Sequence, residues 1–118
     1  MDKYGYGIQG EELAKKYLES KNFVILDSNV NFPNVGEIDI VAQDGKTLVF
    51  VEVRTRADCS YGNPLETLTK SKITKIVKAS RMYLREKSAK IYESYRYDVI
   101  GIVSSTVTHI ANAFYARW

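Results

Sequence analysis

Glu37, Asp39, Glu52 and Arg54 are the residues whose types and spacing could do chemistry, because they bring three carboxylates and one guanidinium onto two adjacent predicted strands. With Asp44-Gly45 taken as a two-residue turn, Gln43 faces Lys46, Glu37 sits opposite Glu52, Asp39 lies diagonal to Glu52, and Arg54 follows two residues beyond. Diagonal neighbours across a strand pair have Cβ atoms about 7–8 Å apart, which lets two carboxylates reach one cation, whereas like charges directly opposite destabilise a bare sheet. Mg²⁺ takes one or two carboxylates and keeps its other positions for water and phosphate oxygens, so such a pair suits hydrolysis of a phosphodiester. The plain alternative is a solvated strand end in which Arg54 and Arg56 neutralise the acids.

The elements that must position these residues are legible from periodicity. Ile38, Ile40 and Ala42 share a face with Val49, Val51 and Val53, and that all-apolar face belongs in the core. Ahead of the hairpin, Ile8, Leu13, Ala14, Tyr17 and Leu18 recur at helical spacing and predict a helix ending near Asn22, after a Tyr4-Gly5-Tyr6-Gly7 opening too glycine-rich to be regular. Residues 1–7 are therefore expected to be flexible. Phe23 to Phe32 reads as an edge strand closed by Pro33-Asn34. After the hairpin, Ile73, Ile76, Val77, Ser80 and Leu84 mark the apolar face of a long helix, and Tyr95 to Val103 and Val107 to Tyr115 read as two closing strands. The order helix, three-strand antiparallel meander, helix, strand, strand predicts a single α/β domain over residues 1–118, with a mixed sheet flanked by helices.

Composition narrows the classes. A chain of 118 residues that is 45% hydrophobic and 26% charged fits one soluble domain and neither a disordered nor a fibrous protein. No apolar run approaches the ~20 residues of a membrane span, and the start carries no signal-peptide core, so a cytoplasmic protein is expected. One cysteine, Cys59, and one histidine, His109, exclude an internal disulfide and a His/Cys zinc set, so any metal should be held by oxygen. Neither residue enters the expected chemistry.

The sequence Gly36-Glu37-Ile38-Asp39-Ile40-Val41-Ala42, followed by Leu48-Val49-Phe50-Val51-Glu52-Val53-Arg54, resembles the active hairpin of the restriction-endonuclease-like superfamily, whose pattern is Asp, a gap, then Glu-X-Lys. Nearly the whole chain resembles the YraN-type family of small bacterial proteins, through this hairpin, Gly10-Glu11 on the first helix, the loop Tyr61-Gly62-Asn63-Pro64 and the basic second helix. The layout is also similar to that of archaeal Holliday-junction resolvases. The resemblance implies a restriction-endonuclease-like core and a nuclease using Mg²⁺ or Mn²⁺. Asp39 and Glu52 would bind the metal, with the Val53 carbonyl as a further ligand, and Glu11 would approach the ion or its water. Glu37 would support the site by orienting Arg54 or its neighbours. Arg54 stands where the superfamily has lysine. Its permanently protonated fork can steady phosphate charge but cannot accept a proton near neutral pH.

From Lys70 to Lys87 seven basic residues face one acid, Glu86, so one segment carries most of the positive field of a chain whose net charge is only +3. Arg56, Lys72, Lys75, Lys78 and Arg81 are the expected contacts to a nucleic-acid backbone, DNA ahead of RNA, since phosphate contacts supply most sequence-independent affinity. Tyr17, Tyr83 and Tyr97 are expected in the core with their hydroxyls at its rim, while Tyr4, Tyr6 and Tyr61 are free to stack on bases. Three function classes follow: a metal-dependent nuclease, acting on plain or branched DNA or on RNA; a non-catalytic nucleic-acid-binding module on the same fold; and a protein-interaction domain. A homodimer is compatible with the first, because cutting two strands takes two sites.

Overall fold

In the computed structural model, which describes residues 3–56, 64–87 and 92–115, the chain runs α1 (Lys3–Ser20), β1 (Val24–Phe32), β2 (Gly36–Asp44), β3 (Thr47–Arg56), a short 3-10 helix (Pro64–Thr67), α2 (Lys70–Glu86), β4 (Ser94–Val103) and β5 (Thr106–Phe114). The strands form one sheet in the order β1-β2-β3-β4-β5, antiparallel throughout except for the parallel pair β3–β4. Parallel neighbours require a crossover, and the 3-10 helix and α2 supply it. This is the expected α/β arrangement, with β1 at one edge. No helix among the described residues is long and apolar enough to cross a membrane.

The expected irregular opening is overturned, since α1 begins at Lys3 and includes Gly5 and Gly7. A helix-interior glycine costs about 1 kcal/mol, but propagation from an anchored helix adds a hydrogen bond per residue. The anchor is further along, where Ala14 and Leu18 are fully buried. At the other end Asn22 takes a left-handed φ of 70°, the Asn22 N–H donates to the Glu19 carbonyl and the Phe23 N–H to that of Leu18, both at 3.0 Å. This is the Schellman arrangement, with Phe23 and Leu18 closing its apolar contact.

Strand β3 is buried on both faces. Leu48 and Phe50 join Val41 and Tyr97 under Ile76, Val77, Ala79 and Tyr83 of α2. Val49 and Val51 join Ile40, Ala42, Ile100 and Ile102 under Ala14 and Leu18 of α1. Fully burying one such side chain contributes about 1.5–3 kcal/mol, so the strand carrying Glu52 and Arg54 is firmly fixed from both sides. Two glycines set how closely the helices approach. A Cβ on Gly10 of α1 would collide with Thr55 Oγ1 of β3, and one on Gly36 of β2 would lie 2.6 Å from the Lys75 carbonyl oxygen of α2.

Tyr83 and Tyr97 are buried as expected, and the Tyr97 hydroxyl bonds Ser80 Oγ at 2.6 Å. Edge strand β5 is pinned through Asp98, which is fully buried. It accepts from Arg96 Nε at 2.8 Å and from the Asn112 N–H at 3.0 Å, and lies 2.7 Å from His109 Nε2. His109 Nδ1 lies 3.2 Å from the Tyr17 hydroxyl of α1. Burial pushes the Asp98 carboxyl up, but the bonds from His109, Arg96 and the Asn112 backbone hold it below its ordinary value. His109 thus ties α1 to both closing strands.

Candidate metal and phosphate site

The expected register of the hairpin needs correcting. Asp44 pairs with Thr47 and Gln43 with Leu48, so the turn is Gly45-Lys46 rather than Asp44-Gly45. The reason lies in the backbone: Gly45 takes φ +60°, and a hairpin turn with one such residue places glycine first of the central pair. A two-residue shift keeps Ile40, Ala42, Val49 and Val51 on one face but changes their partners, whereas Ile38, expected with them, packs on the α2 side. Asp39 and Glu52 are thereby the first residues of each strand beyond the last rung, where a diagonal within the ladder was expected.

Pairing between β2 and β3 stops at Ile40–Val51, although both strands continue. Ile38 and Val41, three residues apart, both join the α2-side core, so β2 breaks its alternation as it passes Asp39. In the gap the Asp39 carboxylate replaces a backbone rung, with its Oδ2 accepting from the Val53 N–H at 2.8 Å. The N–H and C=O of a strand residue point to the same neighbour, so the Val53 carbonyl opens into this gap as well. The parted strand ends leave a gap, or cleft, in the ladder beside half-buried Asp39 and buried Glu52.

Glu52 is 4% exposed. Burial, the adjacent negative charge of Asp39 and a hydrogen bond shared with Asp39 push its carboxyl up to about 8, against the smaller opposing pull of Lys72 and Arg54. Two carboxylates that close cannot both ionise without a compensating cation. Glu11 enters from α1, its carboxyl raised by partial burial and by the charges of Asp39 and Glu37, and lowered by a hydrogen bond with Asn29. Asn29 reaches it from a left-handed kink in β1, at φ 51°. Exposed Glu37 contributes charge to this corner.

Arg54 is turned into a strut. Its Nε donates to Thr67 Oγ1 at 2.9 Å and its NH2 nitrogen to the Thr67 carbonyl at 3.3 Å, while its NH1 nitrogen lies 3.5 Å from Glu52 Oε2. Thr67 Oγ1 in turn donates to the Pro64 carbonyl at 2.7 Å. Lys72 leaves the basic helix for the cleft, with Nζ 3.7 Å from Glu52 Oε2. Lys75 lines an open groove of about 350 Å³ with Lys72, Glu37, Asn31 and Asn34. Lys78 is exposed, whereas the Nε atoms of Arg56 and Arg81 are buried, so these two arginines present less of their fork to a ligand. Cys59 and Tyr61 lie outside the described residues, as do the side chains of Tyr4 and Tyr6.

Sequence reasoning missed Asn29, Thr67 and the inward turn of Lys72. Asn29 carried no signal, since a polar residue in a strand pattern reads as a solvent-facing position. Thr67 and Thr69 did carry one: Thr69 caps α2, its Oγ1 accepting from the Lys72 N–H at 3.1 Å, and that cap fixes which way the first-turn lysine points.

The donor set decides which ion fits. Among the described residues no group of three or more His, Cys, Asp or Glu side chains is gathered closely enough to hold a metal ion. A zinc or calcium cage is therefore not built here. The pair Asp39 and Glu52, with one Asp39 oxygen left over from the Val53 N–H and a backbone carbonyl alongside, fits a small hard ion that takes two carboxylates and otherwise keeps water. Glu11, on α1, is near enough to feel the charges of Asp39 and Glu37.

The chain is a five-stranded α/β fold with half-buried Asp39 and buried Glu52 where two central strands part, and with Arg54 and Lys72 against Glu52. Its relatives place it further: residues 10–102 match the Uncharacterised protein family UPF0102, and the chain belongs to that family, the YraN-type group its hairpin resembles. It is 40% identical over 108 residues to a UPF0102 protein of Persephonella marina, covering 92% of this chain and 91% of the relative. A UPF0102 protein of Geobacter metallireducens is 45% identical over 112 residues, 92% of this chain and 90% of its own.

Proposed function

We propose that this protein is a divalent-metal-dependent nuclease that hydrolyses phosphodiester bonds in DNA, with Asp39 and Glu52 as its metal ligands. The observation that carries this is the closeness of Asp39 to a buried Glu52, whose carboxyl is pushed up, where the ladder between β2 and β3 stops. Arg54 and Lys72 approach the same Glu52 oxygen only at 3.5 and 3.7 Å, and Lys72 also lines the groove with Lys75. A bound Mg²⁺ or Mn²⁺ would polarise the phosphate and lower the pKa of a water. Asp39 and Glu52 hold the position, and Glu11 receives hydrogen bonds from water on the α1 side. Arg54, braced on Thr67, holds the Glu52 carboxyl in place through its NH1 nitrogen. Hydrolysis consumes one water: its oxygen bonds to phosphorus, the bond from phosphorus to the sugar oxygen breaks, and the proton given up by the water balances the one taken by the leaving oxygen. Lys75 and Lys78 would carry the flanking phosphates.

Titration of Mg²⁺ and Mn²⁺ against labelled single-stranded, duplex, flap and four-way-junction DNA, with matched RNA, tests this. Cleavage that needs the metal and disappears in Asp39→Ala is expected. A second reading, a nucleic-acid-binding module without hydrolysis, draws on the anchoring of Arg54 to Thr67, which leaves the guanidinium less free for a substrate. It predicts binding that weakens steeply with salt and no cleavage with any divalent ion.

A further inference from the structure

We infer that Lys72, from the first turn of α2, supplies the catalytic ammonium that position 54 lacks, contacting the scissile phosphate and the attacking water; this rests on the nuclease reading. Three observations converge on it. Arg54 directs two of its three nitrogens at Thr67 and reaches Glu52 only through NH1, so it braces β3 against the 3-10 helix. Lys72 Nζ approaches the same Glu52 oxygen from the opposite element, at 3.7 Å, with its side chain 36% exposed. Its ammonium thereby lies between buried Glu52 and the groove that Lys72 lines with Glu37 and Lys75.

The delivery of that ammonium is built into the fold. Thr69 Oγ1 holds the Lys72 N–H, which fixes the turn from which the side chain departs. The bare Cα of Gly36 lets α2 settle on β2 at the Lys75 carbonyl, bringing Lys72 within reach of Glu52. Lysine rather than arginine suits this place, because a compact ammonium can hydrogen-bond at once to a carboxylate, a water and a phosphate oxygen. Lys72 acts here as a hydrogen-bond donor. It donates hydrogen bonds to the water before attack and to a non-bridging oxygen as charge builds there, so its contribution falls on the transition state more than on ground-state binding.

The test compares the parent, Lys72→Gln, Arg54→Lys and the double variant on one labelled DNA, measuring single-turnover cleavage with Mn²⁺ and affinity with Ca²⁺ across a salt series. Lys72→Gln is expected to slow cleavage about 100-fold or more, as loss of one preorganised donor does, while affinity stays within about threefold and the salt slope is unchanged. Adding Arg54→Lys, which returns an ammonium to β3, is expected to recover at least about tenfold of that loss, a rescue that a merely structural ion pair to Glu52 would not give. Cleavage by Lys72→Gln within about threefold of the parent overturns the assignment of Lys72 alone. So does a rate loss that vanishes at saturating DNA while the salt slope falls by about one charge, for Lys72 is then a phosphate tether only. A parent that cuts nothing with either ion defeats the nuclease reading itself, and the role of Lys72 with it.

Discussion

Replacing Glu52 by Gln asks whether the buried carboxyl carries a proton in the absence of metal. Its pKa is raised from 4.5 to about 8, so between those limits the folded chain holds a proton that the unfolded chain releases. The associated stability is complete below about pH 4.5 and is lost as pH rises towards 8. The slope for one proton is about 1.4 kcal/mol per pH unit, and from pH 5 to pH 7.5 the ceiling is about 3 kcal/mol. For a chain of this length 1 kcal/mol moves Tm by roughly 3–4 °C, giving a ceiling of about 10 °C. Glutamine is neutral at every pH and nearly isosteric. In EDTA the two proteins should melt close together at pH 5, and the Gln variant should gain steadily on the parent up to pH 7.5. Mg²⁺ or Mn²⁺ should then restore the parent at pH 7.5 and leave the variant unmoved, because an ion that binds only the folded form stabilises it by mass action. Differential scanning fluorimetry reads all of this. Parallel Tm curves for the two proteins across the range would refute the idea that Asp39 and Glu52 share a proton awaiting a cation.

Asp39→Ala removes the acceptor of the Val53 N–H and should cost about 1–2 kcal/mol in chemical denaturation, while Asp39→Asn, which keeps a side-chain acceptor, costs less; equal costs would show that the bond is idle. Gly10→Ala should destabilise by about 1–3 kcal/mol through the clash with Thr55, and Thr55→Ala in the same chain should recover part of it, whereas strict additivity in the double-mutant cycle would contradict the contact. Asp98→Ala leaves Arg96 and His109 facing an empty buried position and should cost about 3–5 kcal/mol, with faster amide exchange in β5; a loss under 1 kcal/mol would mean that the network does not hold that strand.

The strands and helices were readable because period-two and period-3.6 patterns depend only on which face is buried. Ile40, Ala42, Val49 and Val51 could be assigned to one face without knowing the turn, since the register error was an even number of residues, but Ile38 was misplaced because β2 breaks its alternation at Asp39. The pairing across the cleft was not readable in the same way. Which residues flank the last rung hinges on one φ angle at Gly45, and both turns suit the sequence Asp-Gly. Glu11, Asp39, Glu52 and Arg54 were singled out by type and resemblance, yet their tethers come from long-range packing. Thr67 and Lys72 meet them only because the crossover between β3 and β4 folds back over the strand ends. Asn29 was hidden for a similar reason, being a kink in an edge strand whose partner is on a helix.

The hydrogen bond from Val53 to Asp39 has a spectroscopic consequence. Because a side chain stands in for a strand at that point, the Val53 amide is bonded to a group that would also serve a cation, and its proton senses the occupancy of the cleft directly. Titrating Mg²⁺ into ¹⁵N-labelled protein should move the Val53 resonance while the Val49 and Val51 amides, embedded in the sheet, stay nearly still. The molecule thus carries its own indicator for metal binding, one that works before any substrate is known and needs no turnover.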